Sequence, residues 1–149
     1  MDVKSKVLAL KYRPVVFEDI IGQKIICDTI FNSIKNNKTP NAYLFTGIRG
    51  VGKTTFARIV AKALNCKNQV EKLCKTELCD SCLSIANSNN IDVIEIDAAS
   101  KTSVEDVRDL IDLSRYGPTN SKYKIFIIDE VHMLSKQAFN ALLKTLEEP

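Results

Sequence analysis

The run Gly47-Ile48-Arg49-Gly50-Val51-Gly52-Lys53-Thr54 constrains this chain more than any other feature, because it dictates a backbone shape and what must flank it. Its spacing is G-x-x-x-x-G-K-[ST], the pattern of a phosphate-binding loop. The glycines reach backbone conformations that a Cβ forbids, so successive N–H groups can turn toward phosphate oxygens. Lys53 offers a point charge to the β- and γ-phosphates, and the Thr54 hydroxyl is a candidate ligand of Mg²⁺. Gly47, Gly50, Val51, Gly52, Lys53, Thr54 and Thr55 make up the expected ATP cradle. A helix following it would add its positive N-terminal end.

The pattern arises by chance in roughly one chain of this length in a few hundred, so its flanks decide. Ala42-Tyr43-Leu44-Phe45-Thr46 is a short apolar run that reads as a buried strand. Residues 55–64 read as a helix with Phe56, Ile59, Val60, Ala63 and Leu64 on one stripe. Strand, loop, helix is the order such a loop requires.

A chain of 149 residues is of one-domain length and long enough to bury a core. No apolar run approaches the ~20 residues of a membrane span. Met1-Asp2-Val3-Lys4-Ser5-Lys6 leads into no signal-peptide core, so a cytoplasmic chain with no membrane partner is expected. The net charge of +3 permits a nucleic-acid partner without requiring one.

Further elements follow from periodicity and breakers. Residues 24–36 read as a helix with Ile26, Ile30 and Ile34 at helical spacing, and a short helix is expected over 80–88. Residues 91–97 read as a second strand. Thr102 and Glu105 have capping-box spacing and open a helix to about Ser114, with Val104, Val107, Leu110, Ile111 and Ser114 on its inner side. Residues 124–129 form a third strand, too continuously apolar for a one-sided sheet. Ser135 then caps a helix carrying Phe139, Leu142, Leu143 and Leu146. Strands alternating with helices mean a parallel α/β sheet.

The third strand ends as Ile125-Phe126-Ile127-Ile128-Asp129-Glu130, a Walker B pattern. A buried strand ejects two acids at its C-terminal edge, where ligands of open α/β sheets bind. Asp129 is expected to hold Mg²⁺, directly or through water, and Glu130 to polarise the attacking water. Lys53, Asp129 and Glu130 are thus the catalytic candidates. His132 reads as a packed or hydrogen-bonded residue.

Cys66, Cys74, Cys79 and Cys82 fall within one polar stretch, and Cys79-Asp80-Ser81-Cys82 is a C-x-x-C pair. Four thiolates can close a tetrahedral structural Zn²⁺ site, and a stretch with little core of its own gains from such a staple. Free thiols or a redox pair are the alternatives. Cys27 reads as a small packed hydrophobe.

Together these motifs resemble one family. Lys11-Tyr12-Arg13-Pro14 with Phe17 and Gly22-Gln23, the phosphate loop, the four cysteines, Ile96-Asp97-Ala98-Ala99-Ser100, the run Asp129 to Ser135 and the run Asn140 to Pro149 occur in this order in the gamma/tau subunits of bacterial DNA polymerase III. The chain closely resembles their N-terminal AAA+ domain along nearly its whole length. The resemblance implies an AAA+ P-loop fold with helices on both sheet faces. It also implies a clamp-loader motor role in DNA replication, with ATP, Mg²⁺ and Zn²⁺ as cofactors. Other clamp-loader subunits in a hetero-oligomer, the sliding clamp and primed DNA are the implied partners. By the same resemblance Tyr12, Arg13, Pro14, Ile21 and Gly22 border the adenine, and Ser100, Lys101 and Thr102 approach the DNA backbone, the alternative being a solvated helix cap. The resemblance departs at the four-residue gap between Cys74 and Cys79, which requires the metal loop to bulge, and at Ser103, where relatives often carry a basic residue.

Family members continue past Pro149 into strands 4 and 5, with sensor and arginine-finger residues. Their sheet order is 5-1-4-3-2, so a chain without strand 4 is expected to leave a slot or to shift Asp129 relative to Lys53. Poor solubility and negligible ATP turnover would follow. The alternatives are another AAA+ ATPase of replication or repair, or a non-catalytic remnant.

Overall fold

The computed structural model describes residues 8–101 and 103–147. In chain order they form α1 (Leu8–Lys11), α2 (Lys24–Lys35), α3 (Lys53–Asn65), α4 (Asp80–Ala86), β1 (Val93–Asp97), α5 (Val104–Ser114), β2 (Ile125–Asp129) and α6 (Lys136–Glu147). Single 3-10 turns lie at Phe17–Asp19, Val70–Lys72 and Val131–Met133. β1 and β2 pair in parallel, and the intervening α5 is the crossover that parallel pairing needs. The chain is therefore an α/β protein. Among the described residues no helix is long and apolar enough to cross a membrane.

The register runs from Val93 against Ile125 to Asp97 against Asp129, so the two strands end level, each on an aspartate. Strand alternation puts Val93, Glu95, Asp97, Ile125, Ile127 and Asp129 on one face, and Ile94, Ile96, Phe126 and Ile128 on the other. α3 lies against the first face, since Thr54 bonds to Asp129 and Arg58 to Glu95. α4 packs on α3, and α5 on α6.

The main core forms between α2, α3 and the segments around them. Phe56, Ile59, Val60 and Ala63 of α3 pack with Phe17, Cys27, Ile30 and Val70. Phe17 meets Phe31 and Phe56 edge-on, and Phe45 meets Phe56 in the same way. The α3 stripe is thus the one read from periodicity. The α2 stripe keeps Ile30 and Ile34 on the core side but begins at Cys27, which is buried, while Ile26 is 46% exposed. The small Cys27 side chain fits closely packed aromatics.

Residues 42–46 correct the sequence reading. They alternate as an extended chain does, with Tyr43 and Phe45 stacked on each other at 6.1 Å against the core and Leu44 76% exposed. They form no ladder among the described residues. Apolar content suffices to dock alternate side chains on the helices, but a strand also needs a neighbouring backbone. β2 pairs with β1 along one edge, and no strand of the described residues lies on its other edge to bridge to residues 42–46, as the order 5-1-4-3-2 leads one to expect without strand 4. Among the described residues the sheet has two strands, β1 and β2.

Smaller corrections concern helix starts and faces. Thr102 lies outside the described residues. The N-cap of α5 is Ser103, whose Oγ accepts the Asp106 N–H at 3.1 Å and donates to Asp106 Oδ2 at 2.7 Å. Ser103 and Asp106 repeat the three-residue spacing of Thr102 and Glu105, so the capping frame shifts by one. Ser114 is exposed rather than inward. Ser135 caps α6, accepting the Ala138 N–H at 3.2 Å. Ala138 is the buried residue of α6, whereas Phe139, Leu143 and Leu146 keep 37–41% of their surface exposed.

Candidate functional site

The phosphate-loop motif folds into an open turn ahead of α3. Gly50 and Gly52 have φ of +85° and +89°, left-handed values that strain any residue with a Cβ. Gly52 is also the N-cap of α3 and offers no side chain to it. The Phe56 N–H makes the bond to Gly52 O at 2.8 Å. The N–H groups of Lys53, Thr54 and Thr55 thus head the helix without a side-chain cap, where the dipole favours an anion. Lys53 Nζ folds back over the loop and donates to the carbonyls of Gly47 and Ile48, both at 3.0 Å.

Thr54 Oγ1 donates to Asp129 Oδ2 at 2.7 Å, which joins the two motifs across 75 residues of sequence. The other Asp129 oxygen accepts the Glu130 N–H at 3.0 Å. Glu130 sits at φ +53°, ψ +40°, a left-handed conformation that costs a residue with a Cβ about 1–2 kcal/mol. Its carboxylate is exposed at the strand's C-terminal edge, 3.4 Å from His132 Nε2. His132 is neither packed nor buried. A hydroxyl and a carboxylate in direct contact beside an uncapped helix start are suited to share a hydrated divalent cation.

Of the residues assigned to the adenine edge, Arg13 reaches the loop's helix, with Nε donating to Thr55 Oγ1 at 3.1 Å. Tyr12 and Ile21 are 72% and 95% exposed, an unusual display of apolar surface. Pro14 is half-buried, and Gly22 takes a φ of +85° that opens the chain toward α2. Ser100 and Lys101 lie exposed in the turn after β1, where both N–H groups bond to Asp97 O at 3.1 Å. Thr102, the third DNA candidate, lies outside the described residues.

The sulfurs of Cys66, Cys74, Cys79 and Cys82 all lie within 4.8 Å of one another, with Cys66 and Cys74 at 3.5 Å. Bonds of about 2.3 Å to a tetrahedral zinc place sulfurs roughly 3.8 Å apart, so this donor set fits the ion. A bend over residues 75–77 lies in the gap between Cys74 and Cys79. Burial raises the Cys66 thiol, and burial together with neighbouring thiols pushes Cys82 well above its ordinary range. Burial acts upward on Cys79 too, but the N–H groups of Lys67 and Cys82 and the neighbouring thiols outweigh it and bring Cys79 to about 6. Cys27 stands apart in the core, its pKa raised chiefly by burial.

Several supporting residues escaped the sequence reading. Asp92 is 1% exposed, and its carboxylate accepts the N–H groups of Thr119, Asn120 and Ser121 at 2.7–2.8 Å. Asn65 exchanges two hydrogen bonds with the Tyr123 backbone, at 2.8 and 2.9 Å. Together they pin the loop that delivers β2. Buried Lys62 donates to the carbonyls of Val15 and Cys74, so α3 ties the cysteine loop to the leading segment. None of these carries a motif; the one available signal was a charged or amide residue inside or beside an apolar element.

The fold and the paired motifs define a parallel α/β chain in which a phosphate-loop helix docks on an acid-tipped strand. The chain belongs to the DNA polymerase III delta-subunit family, whose model matches residues 22–149. It is 53% identical over 144 residues to the DNA polymerase III subunit tau/gamma of Haemophilus influenzae, covering 97% of this chain and 21% of that protein. It is 49% identical over 144 residues to subunit tau of Escherichia coli, covering 97% and 22%. Subunit gamma of Buchnera aphidicola subsp. Acyrthosiphon pisum is 50% identical over 145 residues, covering 97% and 40%. The chain thus spans from about a fifth to two fifths of the length of these relatives. The resemblance to gamma/tau read from the motifs holds.

Proposed function

We propose that this chain is the AAA+-type ATP-binding part of a DNA polymerase III clamp loader. Gly47 to Thr55 hold the phosphates of ATP, Thr54 and Asp129 hold Mg²⁺, and Glu130 orients the attacking water. Arg13 with Tyr12, Pro14, Ile21 and Gly22 forms the adenine side. The observation that carries this reading is the 2.7 Å Thr54–Asp129 hydrogen bond. Two motifs distant in sequence meet atom to atom where a metal–nucleotide complex needs them, and the charge of Lys53 stands on the same loop.

Mg²⁺ held by Thr54 and Asp129 would supply positive charge against the phosphates. The residues of this chain supply the rest. Lys53 exchanges its two loop carbonyls for phosphate oxygens, and the helix N-terminus stabilises the anion. Zinc bound by Cys66, Cys74, Cys79 and Cys82 would staple a loop whose polar sequence gives it little core.

The resemblance and the names of the relatives support the wider role. That role is loading of the sliding clamp on primed DNA, in a cytoplasmic hetero-oligomer with other clamp-loader subunits, with Ser100, Lys101 and Thr102 toward the DNA backbone. The test is ATP binding by calorimetry, with metal analysis of the same sample. The expected result is one ATP and one zinc per chain, with ATP binding abolished by Lys53→Ala and zinc by Cys82→Ser. A wild-type chain that binds no ATP would overturn the proposal.

A further inference from the structure

Beside Asp129, a groove of about 460 Å³ lies on the sheet face that carries Glu95, Asp97 and Asp129, walled by Arg58 of α3 and by Ile85, Ser88 and Asn90 of α4 and the turn after it. Arg58 crosses it. Its Nε donates to Glu95 Oε2 at 2.8 Å and its Nη2 to Glu95 Oε1 at 2.5 Å, a fork-to-fork pair in which both side chains are about two-thirds buried. Such a pair fixes two planar groups in direction as well as distance.

The pair stands in a definite relation to the Thr54–Asp129 contact. Arg58 follows Thr54 by four residues, so the two side chains share one face of α3, about 6 Å apart along its axis. Glu95 lies opposite Ile127, two residues before Asp129 and on the same sheet face, about 6.6 Å back from the strand end. The two spacings match. α3 therefore meets the sheet through two teeth at one pitch, Thr54 on β2 and Arg58 on β1. Core packing and the Asn65–Tyr123 bonds hold the body and far end of α3. The two-bond Arg58 contact is the polar anchor one turn from Thr54, and it sets the height and rotation of the first turns against β1. The Glu95 carboxylate also deepens the proton affinity of Arg58, and Asp129 adds to it, so the guanidinium charge is shared between the acids of both strands.

We propose that Arg58 and Glu95 are positioning residues for the metal half of the nucleotide site: they hold α3 at the height and rotation that put Thr54 on Asp129. The inference rests on the ATP·Mg²⁺ reading above. Neither residue touches nucleotide, so phosphate capture by Lys53 and the loop backbone does not depend on them.

The test measures ATP affinity of the chain with and without Mg²⁺ for wild type, Arg58→Ala, Arg58→Lys, Glu95→Gln and the exchange R58E/E95R, each checked for folding by circular dichroism. The expected result is that Arg58→Ala and Glu95→Gln lose about tenfold of the Mg²⁺-dependent gain in affinity while Mg²⁺-free binding stays within twofold. Arg58→Lys, which keeps charge but not the fork, should recover part of the gain, and the exchange variant more. Full Mg²⁺ response in folded Arg58→Lys and Glu95→Gln overturns the proposal. Equal losses with and without Mg²⁺ overturn it too, because they mark general destabilisation. A wild-type chain that binds ATP with no Mg²⁺ effect, or not at all, brings down the underlying reading and this one with it. Should Arg58→Ala fail to fold, the Lys and Gln variants decide.

Discussion

Replacing Asp92 by Asn tests how the chain sets β2 in place. The Asp92 carboxylate is 1% exposed and accepts the backbone N–H groups of Thr119, Asn120 and Ser121 at 2.7, 2.7 and 2.8 Å. Hydrogen bonds to a charged group are worth about 1.5–3 kcal/mol each, against roughly 0.5–1.5 for neutral pairs. Asn keeps the shape but loses the charge, and its NH₂ faces donors. Three bonds weakened by about 1 kcal/mol each, less the relief of no longer burying a charge, give a net cost of about 2–3 kcal/mol. That is a large share of the 5–15 kcal/mol that holds an ordinary domain together, and it corresponds to a drop of about 10 °C in melting temperature. The pH dependence carries the sign. Burial pushes the Asp92 pKa up, but the three N–H donors outweigh it, so the folded value lies below that of the unfolded chain. The stability from Asp92 is therefore present above about pH 3.9 and lost as pH falls through the lower folded value. Thermal melts of wild type and Asp92→Asn from pH 7 to pH 3 should show a constant gap down to about pH 5 that closes on further acidification. A gap below 2 °C at pH 7, or one that widens in acid, refutes the reasoning.

Two further outcomes follow from other parts of the molecule. In metal-free chain, iodoacetamide should modify Cys79 first among the four clustered cysteines and the fully buried Cys82 last, with the Cys79 rate rising through about pH 6; peptide mass spectrometry with a midpoint near 8.5 for Cys79 would contradict this. Hydrogen exchange should protect the ladder amides of β1 and β2 well beyond those of residues 42–46, which have no pairing partner among the described residues, and equal protection would show a strand there.

What could be read in the sequence was what is local. The phosphate loop, the α3 stripe, the acid-tipped β2 and the Ser135 cap each depend on residues within a few positions of one another. The failures came where the deciding partner was distant. Residues 42–46 have strand composition, yet a strand exists only with a neighbour, and their own alternation reveals none. Thr102 and Ser103 both begin a capping frame, so local spacing could not choose between them. The Cys27 side of α2 became the buried one because Phe17 and α3 lie there. Among the candidate site residues, Lys53, Thr54 and Asp129 stood out because each belongs to a motif of fixed spacing, and the structure brings Thr54 and Asp129 together. Arg58, Glu95, Asp92 and Asn65 were not, because a lone polar residue in an apolar element reads the same whether it is solvated or clamped.

The central claim is that the phosphate loop and Asp129 act as one metal–nucleotide site, joined through Thr54. A double-mutant cycle tests it most directly: ATP affinity with and without Mg²⁺ for wild type, Thr54→Val, Asp129→Asn and the double variant. The account predicts that each single change abolishes most of the Mg²⁺-dependent gain and that the double variant loses no more than either. Losses that add, or a Mg²⁺ gain that survives either substitution, would contradict it.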